Sequence, residues 1–248
     1  MLELRPILSA LARNKTAAVL VVLQIAITLA VVANAAYIIQ QRIEKIARPT
    51  GIDSANVFFV QTYGFAPGYR QVETLRTDLD ALRALPGVAA ATPINQIPLS
   101  GGGSSSSYQI RPGDGEPQIV GNFFEVDEHG VEALGVRLLE GRNFRADEVT
   151  YQERLTSRFV PAVIVTRDFA REAFGETSAV GQTIYDGLGQ SATVVGVIDN
   201  MQGSWVNSDR LTSVVLHPRT PAPPLIRYAV RTEPGASDAV MAEVERLL

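Results

Sequence analysis

The chain is 248 residues long and 46% hydrophobic, with no Cys and a formal net charge of −4. That length buries a domain-sized core, which sets aside disordered chains and disulfide-stapled miniproteins. The missing Cys excludes thiol catalysis, Cys-ligated zinc and iron–sulfur clusters. The charge is divided: residues 1–50 carry six basic groups against Glu3 and Glu44, a balance of +4, and the other 198 residues hold 16 Arg against 24 acids, or −8. An acidic body of that kind argues against a nucleic-acid partner.

Residues 1–15 place Leu4, Ile7, Leu8 and Leu11 at helical spacing among Arg5, Arg13 and Lys15, a pattern that predicts an amphipathic lead-in on the membrane surface. Ala17 to Ile39 follows with no charged residue in 23 positions, long enough to cross a hydrocarbon core of about 30 Å. The span is set at 16–40 and a stalk at 41–50, where Pro49-Thr50-Gly51 stops the helical period. Gln24 and Thr28 lie one turn apart. They read either as a packing seam against other transmembrane helices or, for Thr28, as a hydroxyl bonded to its own backbone. Basic residues flank both ends of the span, so orientation rests on the short leader and on an acidic body with no second span to bring it back. An uncleaved anchor is favoured over a signal peptide cut after Ala33-Asn34-Ala35, because the apolar run continues through Tyr37-Ile38-Ile39.

In the body, Val57–Val60 predicts a strand, Tyr69–Leu85 an amphipathic helix and Val88–Ile97 a second strand, together a β-α-β unit. Ser100 to Ser107, SGGGSSSS, reads as a mobile loop, native rather than an inserted linker, and Ser104, Ser105, Ser106 and Ser107 are its candidate contact residues. Strands are expected at Ile119–Val126, Pro161–Thr166, Leu211–Leu216 and Ile226–Arg231, with a helical turn at Gly130–Leu134. Helices are expected at Asp168–Phe174 and Ala236–Leu248, and a hairpin joins Thr183–Tyr185 to Ala192–Ile198. The fold class is α+β: one transmembrane helix followed by two exported subdomains. The first is discontinuous (51–110 and 200–248) and flanks a β-rich insert (111–199).

Chemistry is sparse. His129 and His217 are isolated in sequence and read as surface or satisfied polar groups. The stretch from Gly187 to Ala192 imitates a dinucleotide fingerprint, but a strand follows it where a phosphate site needs a helix N-terminus, so it reads as a hairpin turn. No P-loop and no nucleophile elbow occurs. Trp205, the only tryptophan, reads equally as an exposed partner contact or a core anchor. No catalytic, metal or cofactor residue is assigned.

The residues from Leu8 to Lys15 running into the span, the stretch Leu134–Phe144 (LGVRLLEGRNF), Val163–Thr166 with Phe169–Gly175, Gly181–Ile184, and Val194–Asp199 occur in an order that resembles FtsX-like/MacB-like permease subunits of ABC transporters. The likeness covers their first transmembrane helix and the periplasmic core domain after it, with Thr166 where Asn is usual. It implies a bacterial inner-membrane protein with a periplasmic body and no enzymatic activity of its own. It also implies a cytoplasmic ABC ATPase subunit that binds the ATP, a second permease copy, membrane lipid around the span, and a periplasmic adaptor. Physically the shared motifs read as scaffold: Gly141 for a turn of positive φ, Arg142 beside it, Phe144 as a core plug, and Gly196 at a crowded strand crossing. Three further spans are expected after Leu248, so the chain reads as the N-terminal part of such a permease. The expected function is to relay ATP-driven motion to a periplasmic substrate or partner. The alternatives are a single-span sensor or assembly protein, and an exported hydrolase.

Overall fold

The computed structural model describes residues 15–64, 68–113, 115–152, 159–221 and 225–248. The amphipathic lead-in with Leu4, Ile7, Leu8 and Leu11 lies outside the described residues. Two compact units are present, residues 1–48 and 49–248.

In the first unit, α1 (Lys15–Ile46) is a single 32-residue helix with no buried residue, the one described helix long and apolar enough to cross a membrane. At 1.5 Å per residue it extends about 48 Å, so the uncharged run and the first turns of the stalk form one continuous rod. Thr28 donates its hydroxyl to the Gln24 carbonyl at 2.8 Å, a bond within the helix.

The second unit is built on two sheets. In the smaller, β1 (Val57–Tyr63) and β2 (Val88–Pro93) both pair antiparallel with β10 (Leu225–Thr232), which lies between them. The β-α-β unit is therefore split by a strand from the far end of the chain. Helices α2 (Gln71–Ala84) and α5 (Ser237–Leu247) cover one face of this sheet. Leu75, Leu79, Leu82, Val240 and Val244 meet Tyr228 and Val230 there, the apolar stripes that the helical period predicts.

The larger sheet holds β3 (Ser105–Gln109), β4 (Ile119–Val126), β5 (Leu138–Gly141), β6 (Ala162–Thr166), β7 (Thr183–Asp186), β8 (Ser191–Ile198) and β9 (Val214–Pro218). Because β7 pairs with both β3 and β8, the order β8-β6-β9-β4-β3-β7 closes on itself as a ring, and β5 adds to the far half of β8. Every ring strand sends a residue into one cluster, among them Tyr108, Ile119, Val163, Ile184, Val194 and Val215, joined by Phe169 of α4 (Arg167–Phe174). That cluster is the ring's interior. The alternate residues Phe124, Ile164 and Leu216 face outward into a second cluster with Val131 and Leu134 of α3 (Gly130–Leu134) and with Ala229 and Phe59 of the small sheet. Period-2 alternation thus gives β6 and β9 two buried faces and ties the ring to the small sheet.

Several boundaries differ from expectation: β1 runs on to Tyr63 and β2 stops at Pro93, short of Ile97. Ser105–Ser107 is strand, not loop: Ser105, Ser106 and Ser107 register with Asn122, Gly121 and Val120. The stretch outside regular structure shrinks to residues 100–104, because ladder pairing overrides a composition that by itself favours a loop. The strand expected at Leu211–Leu216 spans Val214–Pro218 and joins the ring. The ring therefore takes in residues 105–109 and 214–218, which the division at 110/111 and 199/200 had placed with the flanking halves.

Candidate functional site

The scaffold residues converge on one point. Gly141 and Gly196 are register partners across β5 and β8. Gly141 has φ +74, and a Cβ there would run into the Val195 carbonyl; a Cβ on Gly196 would stand 2.5 Å from the Arg142 carbonyl. Only bare backbone fits on either side of that crossing. Arg142 grips Glu148 with both arms of its guanidinium, at 2.8 and 2.6 Å, while the backbone N–H of Arg145 donates to Glu148 at 2.9 Å. The Arg142 guanidinium holds the Glu148 carboxyl below the usual carboxylate range. Phe144 is buried in the cluster between ring and small sheet. These four residues set the architecture around a turn and present no reactive group to solvent.

The contact candidates are gathered elsewhere. The segment 97–104 leaves the end of β2 and doubles back before β3. Asn95 accepts from the Glu125 N–H through its side chain (2.9 Å), and Gln96 donates to the Phe123 carbonyl (2.8 Å) and accepts from the Ser104 N–H. Both residues staple the segment to β4. Ile97-Pro98-Leu99-Ser100 then forms a turn closed by Ser100 N–H to the Ile97 carbonyl, 3.3 Å, with Leu99 at φ +61. A Leu in the left-handed region costs about 1–2 kcal/mol. Neighbouring bonds hold it there: Leu99 N–H to the Gly203 carbonyl (3.0 Å) and Gly101 N–H to the Ser204 carbonyl (2.9 Å). Strain of this size persists only where the surrounding structure over-determines it.

That pairing brings the two candidate groups together. Trp205 is half-buried and follows directly on Ser204, so it sits beside the 99–101 turn, and Ser104 and Ser105 are exposed at the start of β3. Ser106 and Ser107 are half-buried strand residues. The neighbouring strand β7 covers only Tyr108 and Gln109, so among the described residues the edge of β3 at Ser105–Ser107 carries no strand partner on that side.

Sequence reasoning missed a polar cluster at the ring's mouth. Tyr108 and His217 share a 3.0 Å hydrogen bond in complete burial, His217 stacks on Phe123 at 5.2 Å, and Arg219 pairs with Glu125 at 2.7 Å. Burial pushes the His217 imidazole well below its ordinary range and the Tyr108 phenol up, so both are neutral. A cleft of about 410 Å³ lined by Glu148, Thr150, Phe159, Gln190 and Arg219 opens nearby. The sequence hint was the alternation Val214–Pro218, which points His217 to the same side as Val215. His129 lies apart, 3.9 Å from Glu128. Among the described residues no three His, Asp or Glu side chains gather as a metal site. The turn at Gly187–Gln190 is a hairpin in which the Asp186 carboxylate accepts from the N–H groups of Leu188 and Gln190, leaving no phosphate cradle there.

A family model described as the MacB-like periplasmic core domain matches residues 18–247. Solved structures similar to the chain include the periplasmic region of MacB from Actinobacillus actinomycetemcomitans, at 15% identity and TM-score 0.49, covering 82% of this chain and 87% of that one. A second is the extracellular domain of the noncanonic ABC-type transporter YknZ from Gram-positive bacteria, at 17% identity and TM-score 0.46, covering 78% and 92%. No curated protein matches the chain.

Proposed function

The chain belongs to the MacB-like periplasmic core domain family of ABC-type transporter permeases, and from that premise we propose that its exported body relays the motion of a cytoplasmic ABC ATPase to a periplasmic partner or substrate. In this reading α1 anchors the chain in the inner membrane of a bacterium, the ATPase subunit binds all the ATP, and the chain performs no chemistry itself. It acts together with a second permease copy.

The observation that best supports a contact role is the pairing of residues 99–101 with 203–204, which brings a strained turn, a few residues before the exposed Ser104 and Ser105, against the backbone that leads into Trp205. Adaptors or cargo meeting the body would meet it here. Relay requires a stiff body, and the ring, fastened to the small sheet by a shared core, meets that requirement.

Affinity purification of the full chain from native membranes tests the proposal. We expect an ABC ATPase to be recovered with it. Shortening the segment by Gly101 and Gly102 is expected to reduce recovery of a periplasmic partner at unchanged ATPase recovery and with cooperative unfolding of the body preserved. Recovery without any ATPase would contradict the relay and favour an anchored binding protein. Full partner recovery by the shortened chain would remove the contact role.

A further inference from the structure

Behind the 97–104 segment lies a polar cleft of about 460 Å³ between the small sheet and the ring, a volume in the range of ligand sites. Its lining includes Gln61, Asn95, Gln96, Ser100, Ser104 and Arg227. Arg227 is the one charged group among the lining residues, and it lies on a body of net −8.

Arg227 is held in place. It faces Gln61 across β10 and β1, donates Nε to the Gln61 side-chain oxygen at 2.8 Å, and donates Nη1 to the Asn95 carbonyl. Gln61 is held in turn by the Tyr63 hydroxyl, 2.8 Å away. Both anchors are neutral, so the guanidinium charge is fixed in position, and among the described residues no carboxylate pairs with it. Gly102 and Gly103 add bare backbone to the same wall. A planar cation with donors to spare suits a bidentate oxyanion such as a carboxylate, and the small polar groups and bare backbone beside it suit an extended peptide chain. Among the described residues no acidic side chain lines the cleft.

We propose that this cleft binds a peptide carboxylate of the periplasmic partner, with Arg227 as its anchor and the 100–104 segment as its wall. The inference rests on the contact face proposed above and names the group that the face recognises.

Trp205, adjoining the bond from Gly101 N–H to the Ser204 carbonyl, is the only tryptophan and reports occupancy by its fluorescence. The full chain in detergent is titrated with three peptides: acetyl-tetraalanine with a free C-terminal carboxylate, acetyl-Ala-Ala-Asp-Ala-amide, and acetyl-tetraalanine-amide. Saturable quenching or shift by one or both acids, at least about tenfold tighter than by the neutral amide, is the expected result. The first acid alone identifies a chain terminus as the ligand and the second an acidic side chain. Arg227→Gln should weaken acid binding about tenfold or more, and Arg227→Lys should retain part of it. Gly102→Leu, whose Cβ enters open space, should block binding with the fold intact. Equal binding of all three peptides, binding of none, or undiminished binding by both Arg227→Gln and Gly102→Leu overturns the proposal. Such a failure leaves the copurification result untouched, so it is separable from failure of the contact face itself.

Discussion

At the scale of single residues, the family-like motif around residues 141–148 is a mechanical part. Gly141 and Gly196 are opposed so closely that a methyl on either meets a backbone carbonyl, and a carbonyl within a sheet has little room to move. Gly141→Ala is therefore expected to destabilise the body by more than about 2 kcal/mol, adding positive-φ strain to the clash. Gly102→Ala, with nothing within 4 Å of its Cβ, should stay within about 0.5 kcal/mol of the parent. Thermal unfolding of the two variants makes the comparison, and equal melting temperatures would refute it. The Arg142 pair gives a pH signature. Because the folded-state Glu148 carboxyl is held below its ordinary range, its stabilisation is present above the ordinary glutamate pKa and is lost as pH falls through the depressed folded value. Arg142→Ala should cost about 1–2 kcal/mol at neutral pH, allowing for the partial exposure of Arg142. That difference should shrink as the solution is acidified below about pH 4; a gap that is constant with pH would mean the pair contributes through packing alone.

At the scale of elements, the legible parts were those whose periodicity is strong and local. The Leu75, Leu79, Leu82 stripe of α2 and the alternation in β8 were readable because burial on one face leaves a period of 3.6 or 2 in the sequence, whereas the uncharged run of α1 and the short apolar run of β6, buried on both faces, were readable as unbroken runs. Two things were not. Ser105–Ser107 is a strand because β4 supplies its register, a partner over ten residues away that composition cannot reveal. Closure of the ring through β7 depends on pairings between residues 108–109 and 185–186, and the insertion of β10 between β1 and β2 spans most of the chain. Of the contact face, Ser104 and Trp205 were visible individually, but their meeting depends on the long-range bonds from Leu99 and Gly101 to Gly203 and Ser204. Arg227 was not singled out at all, since one arginine in a strand carries no signal until its neighbours are known. These differences yield a prediction. Deleting Ser105–Ser107 should abolish cooperative unfolding of the body because it opens the ring, whereas removing Gly101 and Gly102 should preserve it. A cooperative transition in both would show that β3 is dispensable. In α1, Ile27→Asp at the centre of the run should weaken membrane insertion by about 3 kcal/mol, seen as release of the chain by alkaline extraction. Unchanged retention would place the anchor elsewhere.

At the scale of the whole molecule, a body whose two sheets share a core and a 32-residue helix are parts that the proposed relay would use, and a chain free of Cys offers a clean background for reporters. A spin label at Gly101→Cys, in the chain purified together with its ATPase and reconstituted in lipid, reads the distance between two copies of the contact face. The account predicts that this distance distribution moves by several Å between the ATP-free and the vanadate-trapped complex. Distributions that coincide in the two states, in a complex that hydrolyses ATP, would contradict it.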